Sequence, residues 1–203
     1  IHKQFNNQQI MKKSTLIILA VVAVVAVWAI GAYNGLVSSD EKVSEAWANV
    51  ETAYQRRADL IPNLVNTVKG YASHEQSTLQ AVTDARTKAT SITIDPSTAT
   101  PEQMQQWMAA QEEVGSALGR LIAISEAYPD LKANQNFLEL QAQLEGTENR
   151  ISTERKKYNE IVKEYNVKTR KSPTNLHAGL FGFDQKTMFA AQEGAEVAPT
   201  VQF

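Results

Sequence analysis

An uninterrupted apolar run is the first pattern along the chain. Fifteen consecutive apolar residues, LIILAVVAVVAVWAI, occupy positions 16–30, and no charged residue lies between Ser14 and Ser39. A helix needs about 20 mainly apolar residues to cross the hydrocarbon core of a bilayer. The run therefore predicts a transmembrane helix at residues 15–35, preceded by a short N-terminal segment at residues 1–14.

The charges on either side of the run predict its orientation. Lys12 and Lys13 precede it, whereas Asp40 and Glu41 follow it. Because positive charge is retained on the cytoplasmic side of a membrane, the N-terminus is predicted to lie inside. We expect a single-pass protein of the bacterial cell membrane, with the bulk of the chain outside the cytoplasm.

A secretory signal peptide that is removed is the alternative interpretation of the run. Residues 29–31 form an acceptable cleavage site. Trp28 and Tyr33 instead suit the interface of a spanning helix, and they favour an uncleaved signal anchor. Met11 with its two lysines is typical of a translation start, so residues 1–10 are interpreted as an artefact upstream of it and are left out of the fold prediction.

Beyond the run, apolar residues recur at the spacing of amphipathic helices, and prolines separate the repeats. The predicted helices are Asp40–Arg57, Asp59–Thr90, Pro101–Ala127 and Asp130–Thr169. Residues 91–100 are rich in Ser, Thr and β-branched residues, and they predict the one longer internal loop. Thr100 and Gln103 match the signature of a capping box. Pro62 is interpreted as part of a turn between the first two helices.

The last predicted helix carries the most regular repeat. Its apolar and aromatic residues recur at intervals of seven, which is typical of a coiled-coil seam: Phe137, Leu144, Ile151, Tyr158 and Tyr165. Because four amphipathic segments with short connections fold most simply as an antiparallel up-and-down bundle, the predicted fold class is all-α. The transmembrane helix is followed by a four-helix bundle at residues 36–171, expected to be an elongated rod. A tail at residues 172–203 packs on the bundle or is partly disordered.

Composition excludes several kinds of chemistry. The 203 residues contain no Cys, which removes disulfides, thiolate metal ligands and a catalytic cysteine. Residues 1–39 hold three lysines and no acid, so the rest of the chain is mildly acidic, which argues against nucleic-acid binding. The three histidines lack the spacing of a di-iron or zinc site, and no phosphate-binding loop or nucleophile elbow occurs. We therefore predict no cofactor, no metal and no enzymatic activity.

Charged residues on the inward stripes are the most informative polar positions. Glu75 and Arg86 fall on the inward face of the second predicted helix, and Glu148, Glu154 and Arg155 lie beside the seam of the fourth. We interpret them as an internal layer of paired charges that penalises wrong registers, because an unpaired buried charge is costly. The specific prediction is that Arg86 pairs with Glu148 or Glu154. The alternative is a polar cavity that binds a ligand or gates a motion.

These residues stand within motifs that resemble the LemA family of bacterial membrane-anchored proteins. The resemblance covers nearly everything from Met11 to Phe203. The motifs that carry it are YNGLV at 33–37, RRADLIPNLV at 56–65, VKGYASHE at 68–75, Ala85-Arg86, EAYPDLK at 126–132, TENRI at 147–151 and Tyr158-Asn159. The resemblance implies a four-helix bundle behind one membrane helix and supplies no established reaction. One branch of the family is associated with building membrane compartments in magnetic bacteria.

Ten residues are predicted as structural or interaction positions: Arg57, Asp59, Asn63, Glu75, Arg86, Glu148, Asn149, Arg155, Tyr158 and Asn159. Asp59 is expected to cap the second helix and to meet Arg56 or Arg57 at the turn. The three asparagines are expected to form hydrogen bonds across helices.

The leading functional hypothesis is a non-enzymatic envelope protein that acts in protein–protein assembly or scaffolding. Its expected partners are the bilayer, through the N-terminal helix, other envelope proteins and a second copy of the chain. A ligand-sensing helical ectodomain is the alternative. A pocket lined by Glu75, Arg86 and Glu148 would favour it. An envelope hydrolase is a third alternative, with no motif in its support.

Overall fold

The computed structural model describes the backbone of residues 2–190 and the side chains of residues 15–190. Within this part of the chain there are six α-helices, one 3₁₀ turn and no β-strand, so the all-α prediction is confirmed. The helices are α1 (His2–Tyr71), α2 (Gln76–Ser91), α3 (Pro101–Ile124), α4 (Pro129–Lys132), α5 (Gln135–Arg170) and α6 (Thr174–Phe181), and the 3₁₀ turn is Ser125–Ala127. The predicted count of one anchor plus four helices is not confirmed. Residues 191–203 of the predicted tail lie outside the described residues.

The predicted turn at residues 57–62 is wrong, because α1 continues through Pro62 to Tyr71. A proline in a helix has no N–H to donate to the carbonyl four residues earlier. Here that carbonyl belongs to Ala58, and it accepts a hydrogen bond of 2.8 Å from Nε of Arg86 in α2. The group that Pro62 leaves without a partner is therefore satisfied by a neighbouring helix. The actual turn between α1 and α2 lies at residues 72–75.

The loop and the cap that follow α2 agree with the sequence prediction. α2 ends at Ser91, and α3 begins at Pro101. The N–H of Gln103 donates to Oγ1 of Thr100 over 3.2 Å, and the N–H of Thr100 donates to Oε1 of Gln103 over 2.9 Å. Both halves of the capping box are thus formed.

The last predicted helix is divided in two. α4 ends at Lys132, and α5 begins at Gln135 after a break in which Oδ1 of Asn134 accepts the backbone N–H of Phe137 over 2.9 Å. This bond satisfies an N–H in the first turn of α5 that has no partner within the helix. The residues at intervals of seven all lie along α5 and are all buried, with exposed fractions of 5% or less.

The described residues form two compact units, and α1 contributes to both. The smaller unit contains residues 2–41 and 165–185, and the larger contains residues 42–164 and 186–190. Aliphatic and aromatic side chains of α1, α2, α3, α4, α5 and the turn after α1 pack into the core of the larger unit: Ile61, Leu64, Val68, Ala72, Leu79, Val82, Ala85, Ala89, Ala110, Val114, Ala117, Leu118, Leu121, Leu131, Phe137 and Leu144.

The smaller unit contains the apolar run. Most of the large side chains from Leu16 to Ile30 have exposed fractions above one half. The helix is long and apolar enough to cross a membrane. Lys168 of α5 contacts α1 just beyond the run, since its Nζ donates to the carbonyl of Gly35 and, over 2.7 Å, to Oγ of Ser39.

Candidate functional site

A buried arginine joins three helices of the larger unit. Arg57 of α1 is only 4% exposed. Its Nη1 donates to Oε1 of Glu148 in α5 over 3.0 Å, and its Nη2 donates to the backbone carbonyl (2.9 Å) and to Oε1 (2.7 Å) of Gln111 in α3. The guanidinium also lies 5.0 Å from the centre of the Tyr54 ring. A planar group with several donors suits such a position, because it satisfies several acceptors at once.

The network follows from the inward stripes of two helices. Tyr54 and Arg57 continue the buried stripe of α1. Gln111 lies on the buried face of α3 between Trp107 and Val114. Sequence reasoning missed it; the available signal was a polar residue at the helical spacing of an apolar stripe.

Two cavities adjoin this network. The larger is about 470 Å³ and has polar and charged groups of both signs in its walls, including Arg57, Glu112, Glu148 and Arg155. The smaller is about 160 Å³, and Arg86 is among the residues that line it. Tyr54, Arg57 and Gln111 line both. We call the larger cavity the polar cleft.

Arg155 extends the network on the α5 side. Its guanidinium lies 4.9 Å from the centre of the Phe189 ring, in the arrangement of a cation–π contact. Burial raises the pKa of the Tyr54 hydroxyl, and the positive charges of Arg155 and Arg57 partly oppose that rise. Tyr54 is therefore a neutral hydroxyl at ordinary pH, and two cations lie near it.

Aromatic rings fill the space beside Arg155. Trp47 lies 5.3 Å from Trp107, 5.4 Å from Tyr158 and 5.8 Å from Phe189, measured between ring centres. The chain after residue 185 is fastened to this cluster by Asn159, whose side-chain amide donates to the carbonyl of Phe189 and accepts its N–H, over 3.0 and 2.8 Å. Residues 186–190 thus belong to the larger unit, and Phe189 is buried in it.

Tyr158 also holds this final segment. Its hydroxyl donates to the carbonyl of Thr187 over 3.1 Å, and its side chain is fully buried. Burial raises the pKa of Tyr158 to about 12. Tyr158 and Asn159 were both predicted as structural positions, but the sequence did not indicate that their partners lie in the tail.

The predicted pairing of Arg86 with Glu148 or Glu154 is wrong. Arg86 bonds the carbonyl of Ala58, and Glu148 pairs with Arg57. Glu154 is buried, and its ion pairs are with Arg150 (2.7 Å) and Lys157 (3.3 Å) of its own helix. Glu148 and Glu154 thus form ion pairs, but with partners that the sequence did not indicate, and Arg86 is partnered by a backbone carbonyl. The predicted internal layer of mutually paired charges is therefore not found among the described residues.

The remaining predicted positions have more modest surroundings. Asp59 caps no helix, because α1 runs through it; it accepts a hydrogen bond of 2.7 Å from Gln55 one turn earlier. Glu75 accepts the hydroxyl of Tyr128 over 3.2 Å and lines neither of the two cavities that adjoin Arg57. The side chains of two predicted cross-helix asparagines are exposed: Asn63 and Asn149.

Among residues 15–190, no group of three His, Asp or Glu side chains lies in a position to hold a metal ion. The polar residues around the polar cleft are instead arginine, glutamate, glutamine, serine and tyrosine, which bind through hydrogen bonds and charge. The arrangement is suited to contacts with polar or zwitterionic groups.

Comparison with known proteins identifies the same family that the motifs indicated. The LemA family matches residues 46–203. Magnetosome protein MamQ 2 of Paramagnetospirillum magneticum is 29% identical in an alignment of 193 residues that covers 86% of this chain and 71% of that protein. Protein LemA of Metamycoplasma hominis is 26% identical over 164 residues, covering 81% of this chain and 71% of the relative. Magnetosome protein MamQ of Magnetospirillum gryphiswaldense is 28% identical, covering 77% and 64%.

Proposed function

The chain belongs to the LemA family, and we propose that it is a membrane-anchored bacterial envelope protein that acts by binding other proteins and not by catalysis. One observation carries the proposal. Helix α1 contains a stretch that is long and apolar enough to cross a membrane and, farther along, the buried stripe that joins the core of the larger unit. A single helix thus supplies both the anchor and part of the domain that the anchor displays.

The charged groups of the larger unit support a non-enzymatic role. Arg57 is engaged by Glu148 and Gln111, and Arg86 is engaged by a backbone carbonyl. Groups that satisfy one another in this way hold helices in register. The relatives' names, Protein LemA and Magnetosome protein MamQ, are not names of enzymes. Localisation outside the cytoplasm is part of the proposal and rests on the charges that flank the apolar run.

A ligand-sensing role is the second candidate, and the polar cleft is the observation that favours it. A volume of about 470 Å³ lies within the range of small-molecule sites, and its walls carry both signs of charge. A small zwitterion would find an acidic partner in Glu112 and a basic one in Arg155. The cleft opens beside residues that bridge α1, α3 and α5, so an occupant would contact the element that joins them.

Site-specific photo-crosslinking in intact cells tests the assembly proposal. A photoreactive residue is placed at exposed positions on three helices of the larger unit, Ser77, Gln106 and Ala142, and captured proteins are identified by mass spectrometry. A matched control places it at Leu121, which is fully buried. We expect envelope proteins to be captured from at least one exposed position and not from the control.

The other outcomes separate the hypotheses. Capture of the chain alone, in defined register, supports a homo-oligomeric form of the same structural role. No capture from any of the three positions overturns the assembly proposal. In that case, an increase of the melting temperature on addition of small zwitterions would support the sensor, provided that Arg155→Gln abolishes the increase. Extraction of the full chain from membranes by alkaline carbonate would overturn the anchor itself.

A further inference from the structure

We propose that α6 forms a second contact with the bilayer, lying beside the end of the membrane-spanning segment of α1, and that a lipid acyl chain occupies the groove between the two helices. This inference rests on the proposed membrane anchoring. It goes further because it assigns the C-terminal helix, and not only the N-terminal one, to the lipid phase.

The first observation is the exposed apolar surface of α6. Leu176 is 70% exposed, Leu180 77% and Phe181 53%. The two leucines are four residues apart and therefore lie on one side of the helix. Three neighbouring large apolar side chains on eight residues are an uncommon surface for water and a common one for lipid.

The second observation is the position of α6 along α1. His177 contacts Trp28 edge to face, with 4.8 Å between ring centres, and Phe181 contacts Tyr33 over 5.0 Å. Trp28 lies within the uninterrupted apolar run. α6 is therefore level with the last part of the stretch that would cross the membrane, which makes its apolar face continuous with the lipid-facing surface of α1.

The depth of α6 follows from helix geometry. A hydrocarbon core of about 30 Å that begins near Leu16 ends about 20 residues later, near Gly35, at a rise of roughly 1.5 Å per residue. Trp28 and Tyr33 mark the level of α6. Trp28 precedes Gly35 by seven residues and Tyr33 precedes it by two, so at roughly 1.5 Å per residue both lie within the last ~10 Å of the hydrocarbon core. An interfacial helix buries its apolar face to about 5–10 Å, so the two depths agree.

Positive charge lies where headgroups are expected. Lys168 bonds α1 at Gly35 and Ser39, beyond the level of α6, and Arg170 and Lys171 are exposed in the same unit. Lysine and arginine near a membrane surface are attracted to anionic lipids. The smaller unit thus places the apolar groups of α6 at acyl depth and Lys168 at headgroup depth.

The groove between α1 and α6 fits an acyl chain in size and chemistry. Its volume is about 360 Å³, and its walls are almost entirely apolar. The residues that line it are Ala29, Ile30, Tyr33, His177, Leu180 and Phe181. Because it lies level with the apolar run, the occupant present at the highest local concentration is a lipid tail.

Fluorescence quenching in vesicles tests the inference, and the absence of native cysteine makes single-site labelling direct. The full chain is labelled with an environment-sensitive fluorophore at Leu180→Cys and reconstituted into phosphatidylcholine–phosphatidylglycerol vesicles. Leu176→Cys repeats the measurement at a second exposed site on α6. Val24→Cys reports on the anchor, and Lys156→Cys, exposed on α5, is the control in water.

We expect the labels at Leu180 and Val24 to lose fluorescence to lipid-bound nitroxide and to be protected from aqueous iodide. The label at Lys156 should show the reverse. A label at Val24 that is quenched by lipid while the labels at Leu180 and Leu176 are quenched by iodide overturns the inference and leaves the anchor intact. Protection of α6 from both quenchers overturns it in favour of a second protein copy. Iodide quenching at Val24 overturns the anchor, and the inference with it.

Discussion

Replacing Arg86 with methionine removes the donor that bonds the carbonyl of Ala58, while it keeps most of the aliphatic length of the side chain. Ala58 is buried, and Pro62 supplies no N–H to its carbonyl. Leaving a buried acceptor without a partner costs about 1–3 kcal/mol. We therefore expect Arg86→Met to lower the free energy of unfolding by that amount.

The cause can be isolated with a second substitution. Pro62→Ala restores the N–H that bonds the same carbonyl within α1, and Pro62 is exposed, so little packing is lost. In the Pro62→Ala background the carbonyl keeps a donor when Arg86 is changed. Arg86→Met should then cost less, with a coupling free energy of about 1–2 kcal/mol.

Urea denaturation in detergent micelles, followed by circular dichroism, measures the free energy of unfolding of the unchanged full chain, of Arg86→Met, of Pro62→Ala and of the double variant. Lys88→Met is the matched control, because it removes a long cationic side chain from the same helix, α2. The ion-pair partner of Lys88 is Glu113, which is half exposed. The expected effect of Lys88→Met is below about 1 kcal/mol. An equal cost of Arg86→Met in both backgrounds would refute the explanation of the continuous helix, as would destabilisation by Pro62→Ala.

Three further expectations use the same denaturation assay. Arg57→Met should lower the free energy of unfolding by about 2–3 kcal/mol, because it leaves the buried Gln111 without its donor, while the half-exposed Glu148 is solvated by water. A cost smaller than that of Lys88→Met would contradict the network around Arg57. Gly119→Ala should raise it by about 1 kcal/mol, because the added methyl meets no atom within 4 Å and alanine favours a helix; destabilisation would mean that the space is not open. Burial raises the pKa of Tyr158 to about 12, so the folded state favours the neutral hydroxyl. The stability that this hydroxyl contributes is complete below pH ~10 and is lost as the pH rises toward 12. Tyr158→Phe should flatten the dependence of the free energy of unfolding on pH in that range, and an unchanged dependence would contradict the raised pKa.

Patterns that depend on neighbouring residues were readable from the sequence. The apolar run, the residues of α5 at intervals of seven, the loop after Ser91 and the capping box at Thr100 all appear as predicted. Each follows from helix periodicity or from hydrogen bonds within one turn, so the local order of residues is sufficient to indicate it. The motifs were likewise enough to identify the family.

The tertiary structure alone decided how the charged residues are partnered and where α1 ends. Pro62 normally interrupts a helix, but its effect depends on Arg86, whose bond to Ala58 joins residues 28 positions apart. The ion pair of Arg57 with Glu148 spans 91 positions, and Asn159 finds its partner 30 residues later in the tail. Such partners are set by which helices pack together, and periodicity shows only which face of a helix is buried. The sequence therefore determined the apolar run, the amphipathic repeats and the family, whereas the packing of α1 against α2, α3 and α5 determined the site.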